Sequence, residues 1–263
     1  MRNIKIIIAT HKKYKMPKGK EYIPVHVGAK NKDSIEEYQR DDEGKNISEK
    51  NSYFCELTGL YWAWKNLDAD YIGLSHYRRH FCCEKKLPKD IEGRIEKVIN
   101  EEQVNKLLEE TDIIVPKKRK YYIENLYSHY EHTMYIEPLE ETRKIIAEKY
   151  SNYLTEFDKL HKRTSAHMFN MFIMKKELLN EYSTWLFDIL FELEKRIDTS
   201  KYNTFHARFF GRVSELLLDV WINTNNYTYK EVKVIDIEKV NWFIKGTSFL
   251  KAKFIGKKYD KSF

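Results

Sequence analysis

Ile4-Lys5-Ile6-Ile7-Ile8-Ala9-Thr10-His11 opens with a nearly continuous β-branched run that stops at a hydroxyl and an imidazole. A run of that kind reads as a strand buried inside a parallel sheet. Strand-like runs recur at 22–27, 71–75, 111–115, 165–174 and 231–234. Helical patterns lie between them, at 47–67, 91–110, 137–161, 178–197 and 204–224. Ser48 is the expected N-cap of the first of these, and Pro138 sits near the start of the third. Strand–helix alternation predicts an α/β fold: a single domain with a mostly parallel central sheet flanked by helices. No repeat, linker or low-complexity tract interrupts it.

Composition narrows the class. The 263 residues are 42% hydrophobic and 14% aromatic, which supplies a core and excludes a disordered chain. The longest apolar runs, 6–10 and 113–115, fall far short of the roughly 20 residues of a membrane span. Only 9 glycines and 5 prolines argue against a turn-rich β-sandwich. Cys55, Cys82 and Cys83 make neither a CxxC spacing nor a disulfide framework. No signal-peptide pattern precedes the first strand, so a reducing, cytoplasmic compartment is expected. The formal net charge of +7 favours anionic partners: phosphates, nucleotides or an anionic membrane surface. Lys, Ile, Asn and Tyr share A/T-rich codons, so base composition accounts for part of that charge. Nucleic acid is not an expected partner, because the basic residues gather on no recognisable module. The motifs GxxxxGK[ST], GxGxxG and GxSxG are absent, which removes P-loop, dinucleotide-binding and α/β-hydrolase enzymes.

Candidate sites follow from strand exits, where open α/β sheets bind ligands. Thr10 and His11 end the first strand. Leu74-Ser75-His76-Tyr77-Arg78-Arg79-His80 places two arginines and two histidines just after another buried strand. Arginine forks match phosphate oxygens, although a solvated basic loop or carboxylate pairing would use the same residues. Tyr127-Ser128-His129-Tyr130-Glu131-His132 holds two imidazoles three apart, fit for a general base or for a polar surface loop. Zinc is not expected there, because no second ligand cluster exists. His167 and Asn170 interrupt an apolar run. Arg212, Glu215 and Asp219 share one helix face among Val213, Leu216, Leu217 and Val220, so a carboxylate there is expected to point into a site or a salt bridge. Residues 241–258 interleave aromatics with lysines, the pattern of a membrane-surface segment or of a packed C-terminal helix.

Longer motifs carry a resemblance. The run Asn46-Ile-Ser-Glu-Lys-Asn-Ser-Tyr-Phe-Cys-Glu-Leu-Thr-Gly-Leu-Tyr-Trp-Ala-Trp-Lys65, then Tyr71-Ile-Gly-Leu-Ser-His-Tyr-Arg-Arg79, His161-Lys-Arg-Thr-Ser-Ala-His-Met-Phe-Asn170 and Gly211-Arg-Val-Ser-Glu215, resembles the bacterial family catalogued as domain of unknown function 4422. The resemblance extends to about residue 240. It implies a glycosyltransferase of capsule, exopolysaccharide or O-antigen synthesis (glycosyltransferase family 111), with a GT-A-like fold over 1–240 and a basic aromatic tail over 241–263. It implies UDP-galactofuranose as donor, an inverting transfer and a lipid-linked glycan acceptor, at the inner face of the cell membrane.

On that resemblance, Thr10, His11, Gly28, Ala29, Asn51, Ser75, His76, Arg78 and Arg79 are expected around the nucleotide sugar. Glu215 is the first candidate base, with Asp219 and His167 next; His129, His132 and Asn170 are expected to meet the acceptor. GT-A enzymes usually hold Mn²⁺ or Mg²⁺ with an Asp-x-Asp at the strand end. Here the strand delivers Ser75-His76-Tyr77, and Asp68-Ala69-Asp70 precedes it instead. No metal ligands are therefore assigned, and Arg78 or Arg79 with His76 is expected to share the charge neutralisation.

Overall fold

β1 (Ile4–Thr10) is the buried strand its sequence predicts: Ile6, Ile7 and Ile8 are fully enclosed. Each contributes about 1.5–3 kcal/mol by burial, so this strand outweighs any single cap or ion pair. In the computed structural model, which describes residues 2–238, β1 lies parallel to β2 (Tyr22–His26) and to β4 (Tyr71–His76). β3 (Gln39–Arg40) extends the β2 edge, also in parallel. The pairing then changes direction. β9 (Phe172–Lys175) runs antiparallel to both β4 and β6 (Ile113–Pro116). β10 (Lys230–Asp236) is parallel to β6 and antiparallel to β5 (Arg79–Cys82).

The sheet is therefore mixed rather than mostly parallel. β5 follows β4 through the two-residue turn Tyr77-Arg78, and so short a connection can only return antiparallel. Gly73 is required where β9 closes on β4: a Cβ there would lie 2.8 Å from Ile173 Cγ1 and 3.0 Å from the Phe172 carbonyl.

The described residues divide into two compact units. The first comprises 2–117, 169–183 and 228–238 and holds the eight-stranded sheet. Its core joins Ile4, Ile6, Ile8, Tyr71, Phe81, Ile114 and Ile173 to Ile99, Val104 and Leu108 from the helical stretch around α4 (Glu101–Leu107). α3 (Ile91–Ile95) also belongs to this unit. The expected helix over 47–67 is three pieces: a 3₁₀ turn at Ser48–Lys50, α1 (Asn51–Phe54) and α2 (Leu57–Asn66). Ser48 is not an N-cap; its hydroxyl donates to Asp41 Oδ1 and accepts from the Lys30 N–H.

The second unit comprises 118–168 and 184–227 and is mainly helical. It holds α5 (Leu126–Thr133), α6 (Glu137–Lys149), α7 (Leu154–Asp158), α9 (Phe209–Thr224) and the C-terminal part of α8 (Lys176–Arg196). α6, α7 and α9 pack on one another. β7 (Arg119–Lys120) and β8 (Ser165–Ala166) form a small antiparallel ribbon. The single strand expected over 165–174 is broken: Phe169 and Asn170 have φ of 80° and 53°, which interrupts the extended backbone after β8 and before β9. The tail 241–263 and the boundary expected at 240 lie outside the described residues.

Candidate functional site

β1 and β4 are parallel neighbours, so Thr10 and His76 leave the sheet at the same edge. Thr10 is spent on its own turn, where its hydroxyl donates 2.7 Å to the Lys12 carbonyl. Tyr77, at the tip of the β4–β5 turn, gathers the side chains that follow. His11 meets its ring edge-on at 5.4 Å and Tyr14 at 5.1 Å. Lys12 Nζ lies 5.4 Å from the ring centre, and the Arg78 guanidinium 5.4 Å. Two cations and three aromatic rings thus share one strand exit. Lys12 was not singled out from sequence; its signal was its place two residues past the strand end.

The two arginines separate by position. Arg79 begins β5, donates from Nε to Asp236 Oδ1 at 3.1 Å, and covers the Phe169 ring at 4.6 Å. Arg78, on the turn, has no carboxylate partner among the described residues. His76 donates from Nε2 to the Phe169 carbonyl at 2.7 Å, because a carbonyl can only accept. It can therefore give an anion a second N–H only as imidazolium. Ser75 is buried beside it in β4.

Gly28 and Ala29 converge on a residue that sequence reasoning missed, and Asn51 reaches it through the Thr58 hydroxyl. Asp41, fully buried, accepts from the Gly28 N–H (2.8 Å), the Ala29 N–H (3.0 Å), the Thr58 hydroxyl (2.6 Å) and the Ser48 hydroxyl. Gly28 has φ +64°, and a Cβ there would sit 2.5 Å from Asn51 Oδ1. Asn51 in turn donates to the Cys55 carbonyl at 2.7 Å. Gly28, Ala29 and Asn51 hold a buried turn around Asp41, whose only sequence signal was Asp41-Asp42-Glu43-Gly44, which reads as a loop.

A second strained corner lies in the same unit. Cys55 has φ 54° and ψ −129°, and the residue after it, Glu56, accepts from Asn170 Nδ2 at 2.7 Å. Asn170 is itself at positive φ. Left-handed non-glycine residues cluster where a structure holds groups for function. Glu56 also went unnoticed in the sequence.

In the second unit, α9 is buried almost all round and carries two enclosed carboxylates, Glu215 and Asp219. Arg212 lies 3.6 Å from Glu215. Asp219 Oδ1 pairs with His167 Nδ1, and Asp219 Oδ2 accepts from the His167 backbone N–H at 3.2 Å. Burial alone would raise the Asp219 carboxyl, but the His167 hydrogen bond and charge, Lys118 and the backbone N–H outweigh it and hold it below the usual range. This pair fixes the imidazole's orientation and tautomer, with the ring proton on Nδ1.

Glu124, buried, receives His129 Nδ1 at 3.0 Å and His132 Nδ1 at 2.6 Å. Burial pushes the His129 imidazole down to about 4 against the Glu124 hydrogen bond, with Arg119 and Arg212 adding to the shift. The two histidines thus share one face of α5, turned by one carboxylate that the motif itself did not contain.

Metal-binding groups do not fit at the strand exit. β4 delivers a hydroxyl and an imidazole, while Asp70 at its other end accepts from the Asn3 N–H at 2.7 Å. Among the described residues no cluster of three or more His, Cys, Asp or Glu is arranged to hold a metal ion.

A family model described as Domain of unknown function (DUF4422) matches residues 5–226. The chain belongs to this family. The DUF4422 motifs become the turn and helices before β4, the β4–β5 hairpin, the corner after β8 and the start of α9. A solved structure titled WbbM bifunctional glycosyltransferase, without ligand, is similar at 32% identity with a TM-score of 0.83. The match covers 90% of this chain and 46% of the WbbM chain, so the DUF4422 protein spans about half the length of that neighbour. No curated protein matches it. Among the described residues no helix is long and apolar enough to cross a membrane.

Proposed function

We propose that this chain is a glycosyltransferase of bacterial surface-polysaccharide assembly (capsule, exopolysaccharide or O-antigen). It moves galactofuranose from UDP-galactofuranose, with inversion, to a lipid-linked glycan at the inner membrane face. The observation that carries this is the likeness to one half of WbbM, at 32% identity over 90% of this chain. The roles below are assigned residue by residue.

The nucleotide sugar is assigned to the exits of β1 and β4. There Lys12 and Arg78 flank Tyr77, and two cations suit a departing diphosphate. The aromatic group of His11, Tyr14 and Tyr77 suits a base ring. Arg79 is assigned to holding β5 and the Phe169 corner. The Glu56–Asn170 pair, and the His129–His132 pair set by Glu124, supply hydroxyl-reading groups for sugar rings. In the transfer, an acceptor oxygen bonds to C1, the bond from C1 to phosphate breaks, and its electron pair leaves on UDP. The acceptor proton goes to the His167 imidazole once acceptor binding displaces the present contact of its Nε2, with Asp219 stabilising the imidazolium. His167 is fully buried, so acceptor binding must uncover its ring. Glu215, beside Arg212, is the alternative base.

The test is UDP release by the purified chain with UDP-galactofuranose, UDP-galactopyranose and UDP-glucose, with and without EDTA and a synthetic lipid-linked galactoside. Acceptor-dependent release from the furanose donor is expected; release from another donor alone would replace the sugar. A second reading, a non-catalytic nucleotide- or glycan-binding scaffold, is favoured by the missing carboxylate pair at β4. UDP binding with no release from any donor and acceptor would select it.

A further inference from the structure

In the segment 117–123, Lys-Lys-Arg-Lys-Tyr-Tyr-Ile, Lys118 and Arg119 act on Asp219 and His129 and Tyr121 packs on His129, whereas Lys117, Lys120, Tyr122 and Ile123 are used by none of these roles. Tyr122 is 88% exposed and Ile123 58%, the only adjacent pair of large hydrophobics so exposed among the described residues. The next most exposed, Tyr135 at 45%, is in ring contact with Tyr202 and His206.

The segment is held rigidly on both sides of that tip. Arg119 and Lys120 pair with Ala166 and Ser165 in the β7–β8 ribbon. Tyr121 is buried, donates its N–H to the Thr164 carbonyl at 2.7 Å, and lays its ring 4.2 Å from that of His129. Asn125 then caps α5 by accepting from the Ser128 N–H at 2.8 Å. Burial of Tyr121 turns Tyr122 outward, and Ile123 is exposed beside it. An aromatic and an aliphatic side chain therefore stand in water at the tip of a fixed turn, where they add nothing to the core.

Along the segment before the tip the charge has one sign. Four cations precede it, with Lys117 and Lys120 exposed. The first acid after it, Glu124, is buried and engaged by His129 and His132. Adjacent basic and exposed aromatic and aliphatic residues match an anionic bilayer, whose headgroups meet the cations while the rings enter the interface.

We propose that residues 117–123 dock this protein on an anionic membrane surface, with Tyr122 and Ile123 inserted and the exposed Lys117 and Lys120 on the headgroups. The docking does not depend on the transferase assignment, and its test needs no donor or acceptor.

The experiment is co-sedimentation of the full-length chain with vesicles of phosphatidylglycerol and phosphatidylcholine in equal parts, against phosphatidylcholine alone, at low and high salt. Binding to the anionic vesicles alone, weakened by salt, is expected. Tyr122→Ser with Ile123→Ser should lower the partition coefficient by about tenfold or more. Lys117→Gln with Lys120→Gln should lower it by about thirtyfold, at about fivefold per cation. All four positions are exposed, so thermal unfolding should stay unchanged and folding will not confound the result. No vesicle binding by the parent would overturn the proposal and point to an acidic protein partner. Equal binding to neutral vesicles, or unaltered binding by both double variants, would also overturn it, the latter placing the contact elsewhere in the chain.

Discussion

Asp41 in the first unit and Asp219 in the second are both buried carboxylates, and they differ in what they hold. Asp41 accepts from two backbone N–H groups and two hydroxyls, none of which titrates in the ordinary range. Asp219 accepts from a backbone N–H and from an imidazole, the one side chain whose ordinary pKa lies near neutrality. A saturated carboxylate among fixed donors closes a turn. A carboxylate against a histidine fixes a titratable ring, and it is this pair that is proposed to take the acceptor proton. Burial alone does not distinguish the two; the partner does.

The sharpest contrast comes from His167→Ala. Transfer should fall by about 10³–10⁴-fold, while UDP binding stays near the parent value by calorimetry. Glu215→Gln should cost far less; a larger loss there than at His167 would move the base role to Glu215. Asp41→Ala should act on stability instead. It strands four donors and should cost about 3–4 kcal/mol in urea unfolding, with kcat of the folded fraction unchanged.

How much of this was legible follows from the range of the interactions. β1 and α9 were readable because periodicity and β-branching are local signals. The mixed sheet was not, since the direction of β9 and β10 depends on pairings made across about a hundred residues. Arg212, Glu215 and Asp219 were correctly put on one buried helix, yet the His167 partnership spans 52 residues and leaves no pattern in either segment. Asp41 and Glu124 were invisible for the same reason: each sits in a polar stretch that reads as loop, and only the fold shows which donors reach it.

Arg78 and Arg79 give a smaller version of the comparison. Arg78→Ala should lower kcat/KM by about 10²-fold with little change in unfolding. Arg79→Ala, which loses Asp236 and the Phe169 contact, should lower stability by about 1 kcal/mol and leave UDP affinity closer to the parent.

Acid should weaken both units. Each buries an imidazole whose pKa burial pushes down from 6.5, His80 to about 3 and His129 to about 4. Below 6.5 the unfolded chain takes up protons that these folded histidines refuse. Stability is therefore full above that pH and declines on acidification, on the order of 1–2 kcal/mol per imidazole by about pH 5. Asp219, held below 3.8, adds a further loss only as pH falls under that value. Unfolding midpoints across pH would show the decline; a flat profile from neutrality to about pH 5 would contradict the buried neutral histidines.

The most direct measurement is acceptor-dependent UDP release by Asp219→Asn and Asp41→Asn, assayed side by side at a temperature where both are folded. The account predicts a fall of about 10³-fold or more for Asp219→Asn, and near-parent turnover per folded molecule for Asp41→Asn. Retention of turnover within a few-fold by folded Asp219→Asn would contradict it.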